Sequence, residues 1–115
     1  MTKKFYLAGS EIKQLVANYG SCLASDKITV DGLKVRFMYR ETPSDEFDSG
    51  WRFFSGDETP EFSEGPDNFG IYDVNTIANY DPSIIPFLDS PLKSAFERAH
   101  TEDKFVATEF PIVED

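Results

Sequence analysis

Asp48-Ser49-Gly50-Trp51-Arg52-Phe53-Phe54-Ser55-Gly56-Asp57-Glu58 sets an aromatic strand core between two acidic, glycine-containing turns. It holds the only tryptophan of the chain and the sole basic residue between Glu41 and Asp73. Consecutive aromatics on a strand divide between the two faces of a sheet, because successive side chains point to opposite sides. Trp51 or Phe54 is therefore expected in a core, and Arg52 is expected to pair with an acid of a flanking loop.

A sheet built around such a strand needs material to cover it, and the composition supplies it. Hydrophobic residues make up 40% of the 115, and the aromatics are mostly eleven Phe and five Tyr. That suffices for one core in a single domain spanning 1–115, with no disulfide or structural metal to help it. Cys22, the one cysteine, has no partner for an internal bridge. The N-terminus opens like a signal peptide, but its apolar run Phe5-Tyr6-Leu7-Ala8 stops after four residues, so it reads as mature protein. No apolar stretch approaches the roughly 20 residues of a membrane span. The bacterial cytoplasm is the expected location.

Periodicity predicts the elements. Ile12, Leu15, Val16 and Tyr19 recur at i, i+3, i+4 and i+7 behind Ser10 as N-cap and Glu11 in the first turn, and Gly20 supplies a stop. This spacing predicts an N-terminal amphipathic helix. Past Gly20 the period becomes two: residues 21–25 and 27–30 read as strands, and Asp31-Gly32 reads as a hairpin turn. Leu33, Val35, Phe37 and Tyr39 then alternate with Lys34, Arg36, Met38 and Arg40, predicting one apolar and one basic face. Residues 41–50 and 56–68 read as acidic surface loops, the first of them mobile, on either side of the strand 51–54, which is expected to pair antiparallel with 35–39. Ile71-Tyr72 adds a strand. Asp73 caps a helical turn, Asp81-Pro82 starts another, and residues 94–98 and 104–108 form a hairpin through His100-Thr101-Glu102-Asp103. The class is α+β: a small single domain with a twisted antiparallel sheet, the N-terminal helix packed on it, and short helical turns after the central strands.

Charge is uneven. Residues 1–40 carry seven basic and three acidic groups, net +4; residues 41–73 carry ten acidic and one basic, net −9; residues 74–115 carry eight acidic and three basic, net −5. A negative field concentrated in the middle third argues against nucleic acid and anionic membranes, and for a basic partner or for solubility alone.

Chemistry is sparse. One His and one Cys rule out Cys/His zinc sites, and Cys22 and His100 are too far apart in sequence to suggest a nucleophile and its base, so both are expected to do no chemistry. The glycines at 50, 56, 65 and 70 match no phosphate-binding fingerprint. Asp57, Glu58, Glu61, Glu64 and Asp67 offer oxygen ligands, yet their spacing fails the calcium-loop template. No catalytic residue, metal or cofactor is expected.

Phe37-Met38-Tyr39-Arg40-Glu41, the block from Asp48 to Glu58, Pro66-Asp67-Asn68 and above all Tyr72-Asp73-Val74-Asn75-Thr76-Ile77-Ala78-Asn79-Tyr80-Asp81-Pro82 resemble the motifs of a bacterial family. It was first catalogued as a domain of unknown function and later classed among the immunity proteins of polymorphic toxin systems, as the family numbered thirty-three. The resemblance covers roughly residues 22–98 and implies a non-enzymatic α+β domain that neutralises a toxin, without assigning residues. An immunity protein acts by stoichiometric occlusion, and a basic toxin suits an acidic surface. The partner-binding face is accordingly expected on the two acidic loops and the strand between them, at Asp45, Glu46, Asp48, Trp51, Arg52, Asp57 and Glu58, with an apolar surface around Phe47 and Phe62 as the alternative. Two other classes stay open, a small acidic regulatory or housekeeping binding module and a carboxylate-based hydrolase. The oligomeric state is open as well.

Overall fold

The computed structural model describes residues 3–99 and 101–111. Strand β1 (Ser21–Ser25) begins behind Gly20, whose φ of +94° places the hydrogen where a Cβ would run into the Phe47 carbonyl. Ser25 then turns the chain, its hydroxyl accepting from Lys27 N at 3.1 Å as the N-cap of a one-turn helix, α1 (Asp26–Thr29). The strand expected over 27–30 is therefore a helix, and Asp31-Gly32 closes it instead of turning a hairpin: Asp31 N and Gly32 N donate to the carbonyls of Asp26 and Ile28, with Gly32 at φ +77°.

β2 (Phe37–Arg40) and β3 (Asp48–Phe54) pair antiparallel as expected, Phe37 opposite Phe54 and Tyr39 opposite Arg52. β4 (Phe69–Asp73), β5 (Ala95–Glu97) and β6 (Val106–Ala107) complete a six-stranded sheet in the order β4-β1-β3-β2-β5-β6. The sheet is mixed, not antiparallel, because β1 and β3 run parallel. A parallel neighbour needs the chain to return to the starting end first, and β2 with the loop 41–47 makes that return between β1 and β3. The C-terminal hairpin pairs β5 with β6 as expected, although His100 lies outside the described residues.

One face of the sheet is covered by α1, by α3 (Val74–Tyr80) and by a 3-10 segment, Pro82–Phe87. Asp73 and Asp81 cap these two, donors coming from Asn75 N at 2.8 Å and Ser83 N at 3.2 Å, and Pro82 occupies the first position of the second. Between the layers lie Trp51, Phe53, Met38, Ile28, Ile77 and Leu88, all fully buried. Met38 thus faces the core, on the side assigned from alternation to the basic residues. Phe37 and Tyr39 face the opposite side, where Tyr39 stacks on Phe54 at 5.8 Å and meets Phe110 edge-on at 5.6 Å. Alternation misplaces them because both faces of this sheet carry apolar side chains.

The N-terminal amphipathic helix is absent. Residues 9–11 form one 3-10 turn, and 12–20 run without helix to Asn18 at φ +68°. Their main chain is bound instead by Asn75 and Asn79, whose side chains bond the backbone of Lys13, Leu15 and Val16. A helix of about ten residues is marginal alone, so bonds from another element outweigh its own ladder. Val16 and Tyr19 still pack on the core, while Leu15 is exposed.

Candidate functional site

The uncovered sheet face is divided. Towards the end of β3, α2 (Pro60–Glu64) stands over it within the segment expected as loop, and Phe62 packs edge-on against Phe69 at 5.7 Å. Thr59 caps α2 with Pro60 at its first position. Towards the start of β3 the face is open, and Ile71, Leu23 and Arg52 form a row across β4, β1 and β3.

Arg52 is the centre of that region. Its Nε donates to Glu41 Oε2 at 2.5 Å, and its terminal nitrogens donate to both oxygens of Asp48 at 2.9 and 2.8 Å. In a regular strand, residues i and i+4 stand about 13 Å apart. Here Gly50 makes the difference: its φ is +90°, and a step of two residues in β1, from Ser21 to Leu23, matches a step of four in β3, from Asp48 to Arg52. The resulting bulge shortens the strand locally and brings carboxylate and guanidinium together. Asp48 accepts in addition from Ser44 N and Gly50 N, both at 2.9 Å, and Asp45 Oδ1 accepts from Phe47 N and Asp48 N at 2.9 Å, which shapes the loop 41–47.

A hollow of about 340 Å³ opens there, bordered by Glu41, Asp45, Asp48, Arg52, Leu23 and Ile71. A second, of about 550 Å³, adjoins it through Ser21 and carries Glu46, Phe47 and Asp73. Five carboxylates and one guanidinium thus surround a surface on which Ile71 and Phe47 are 75% and 71% exposed.

The expected site residues do not all meet. Asp45, Glu46, Asp48 and Arg52 gather at this end. Trp51 is fully buried on the other face and has no surface to offer a partner; it braces β3 from beneath, its Nε1 donating to Leu88 O at 3.2 Å. Asp57 and Glu58 lie past the far end of β3, beyond Phe54 and Ser55. Glu58 there accepts from Ser55 N, Ser55 Oγ and Gly56 N at 2.8 to 2.9 Å, closing a turn.

Electrostatics follows this division of labour. The Arg52 hydrogen bonds hold the Asp48 carboxyl well below its ordinary range and raise Arg52 in turn. Burial works against ionisation of Glu58, but the hydrogen bonds from Ser55 and Ser25 outweigh it and its pKa is lowered. Both shifts run opposite to what a general acid needs. Burial pushes the Cys22 thiol far up, which keeps it protonated and inert. Among the described residues, no group of three or more His, Cys, Asp or Glu could hold a metal ion, and no helix is long and apolar enough to cross a membrane.

A depressed carboxylate contributes stability that is complete above its unfolded pKa and lost as pH falls through the folded one. Asp48→Asn is therefore expected to be less stable than the parent at pH 6, with the gap closing on acidification below about pH 4. Urea titrations at a series of pH values measure it; a gap that stays constant down to pH 2 contradicts the assigned pair.

Residues 22–109 match the family model described as the Immunity protein Imm33 domain, about three quarters of the chain. The chain belongs to the Imm33 immunity protein domain family. The expected resemblance is thereby borne out, and the matched span reaches past 98 to include β6. No curated protein and no solved structure matches the chain. Arg52, its two acids, Asp45, Leu23 and Ile71 all lie within the Imm33 domain, whereas the N-terminal arm held by Asn75 and Asn79 precedes it.

Neither the bulge nor Glu41 as second partner of Arg52 was singled out by sequence reasoning. Gly50 two residues behind Asp48 is the signal for the first. An acid beside the last residue of the paired strand is the signal for the second.

Proposed function

We propose that this domain neutralises a cognate toxin in the bacterial cytoplasm by one-to-one binding, through the acidic end of the open sheet face, to a basic surface of the toxin. The observation that carries this reading is the convergence of Glu41, Asp45 and Asp48 on one hollow beside the exposed Ile71 and Phe47. Membership of an immunity family supplies the kind of partner, and the geometry supplies the anatomy of an interface: apolar anchors inside, charges around them. Asp45 and Glu46 are exposed and act as rim charges. Arg52, saturated by Asp48 and Glu41, holds the platform and leaves its net charge negative. Occlusion needs no cofactor, metal or catalytic group.

Rim charges act mainly on the association rate. With a toxin captured from the strain that carries the gene, Asp45→Lys/Glu46→Lys is expected to slow association by about tenfold at low salt and to flatten its salt dependence. Glu61→Lys/Glu64→Lys makes the same charge change on α2, at the other end of β3, and is expected to act several-fold less. Surface plasmon resonance at low and physiological salt decides. Equal effects of the two reversals, or none of either, contradict the location.

A further inference from the structure

We infer that the toxin is held by strand addition: an extended segment of it, with basic residues alternating about an apolar one, pairs with the outer edge of β4 at Ile71. This rests on the toxin reading above and names the part of the toxin that is recognised. β4 pairs with β1 in unbroken register, from Asp73 opposite Ser21 to Phe69 opposite Ser25. The next pair in that register, Val74 and Gly20, is a bonded one, Val74 N donating to Gly20 O at 2.9 Å. Bonded and non-bonded pairs alternate along an antiparallel ladder, so Tyr72 and Gly70 spend their main-chain groups on β1. Phe69, Ile71 and Asp73 turn theirs outward. Lys3 Nζ takes the Phe69 carbonyl at 3.2 Å; among the described residues no hydrogen bond reaches the outward groups of Ile71 or the Asp73 N–H.

Sheet edges are ordinarily blunted by proline, lysine, a bulge or shortness. β6, at the other edge, is two residues long, whereas β4 has five residues in regular register and neither proline nor lysine. At its centre stands Ile71, the most exposed large apolar side chain among the described residues. Side chains of one strand alternate between faces, so Ile71 and Asp73 share the open face, beside the hollow that Glu41, Asp45 and Asp48 border. An added strand thus meets an apolar residue and, two positions on, an acid backed by further acids. The complement is an apolar residue opposite Ile71 and a Lys or Arg opposite Asp73. A second copy fits worse. Antiparallel self-pairing about Ile71 sets Phe69 against Asp73 of the other copy and brings two acidic hollows onto the same face, where Arg52 is already taken by Asp48 and Glu41.

The probe is an end-capped heptapeptide, Thr-Lys-Thr-Val-Thr-Lys-Thr, which places Val opposite Ile71 and a Lys opposite Asp73 in either strand direction. It is titrated into the full chain by NMR. At about ten times its dissociation constant, solvent exchange of the Ile71 and Asp73 amides is expected to slow about tenfold, with Gly70 and Tyr72 changing far less. N-methylation of the peptide Val, or Glu in place of both Lys, is expected to weaken binding by about tenfold or more. No binding of the lysine peptide, affinity that survives N-methylation, or slowing without the alternation at 70–73 overturns strand addition. So does a dimer whose Ile71 amide is protected by raising the concentration of the domain alone, which assigns the edge to a second copy. The toxin reading fails separately: a toxin that protects residues 41–52 and leaves the Ile71 and Asp73 amides exchanging as in the free domain overturns strand addition and leaves that reading standing.

Discussion

Asp81→Ala is expected to lower folding stability by about 3 to 5 kcal/mol, because it strands a buried guanidinium. The Asp81 and Arg98 side chains are only 4% and 6% exposed, and they form an ion pair. Asp81 also accepts from Val35 N at 3.0 Å and caps the segment Pro82–Phe87, while Arg98 donates to Val35 O and Ser83 Oγ at 2.9 Å and lies over the Phe105 ring at 4.2 Å. The pair thus ties the approach to β2, the 3-10 segment and the C-terminal hairpin together. Removing both charges, as in Asp81→Leu/Arg98→Met, is expected to cost less than Asp81→Ala alone, since no unpaired charge is then left inside. Urea denaturation compares the two. A loss below about 1 kcal/mol for Asp81→Ala, or a double variant that is worse than the single one, contradicts this account of the pair.

Trp51→Ala is expected to cost about 3 to 5 kcal/mol by the same measurement. The indole is fully buried, stacks on Phe53 at 6.0 Å and uses its N–H on Leu88 O, so truncation leaves both a cavity and an unpaired carbonyl. The consequence extends to the open face. Trp51 O accepts from an Arg52 terminal nitrogen at 3.0 Å, so displacement of β3 disturbs the Arg52 pairing behind it. A midpoint close to that of the parent shows that Trp51 does not support the core.

Much of the sheet was legible because its signals are local. The strands at 21–25, 37–40 and 51–54 announce themselves by composition, and Asp73, Asp81 and Pro82 mark helix starts by the chemistry of capping. The pairing of Arg52 with loop acids was also legible, since no other cation stands nearby in sequence. What failed depends on contacts far along the chain. Residues 12–19 have the spacing of a helix, yet their backbone partners lie some 60 positions away, on Asn75 and Asn79. Period alone does not distinguish a helical stripe from an arm held by another element. Met38 was placed outside because alternation assumes one apolar face, and this sheet has two. The two acidic loops looked like one surface because they flank one short strand, but that strand holds them at its opposite ends.

The narrowing from two loops to one is the central claim, and hydrogen exchange of the toxin-bound domain tests it most directly. The account predicts slowed exchange on binding across residues 41–52 and along β1 and β4 around Leu23 and Ile71, with residues 56–65 and α3 unchanged. Protection confined to 56–65 or to α3, with 41–52 exchanging as in the free domain, contradicts it.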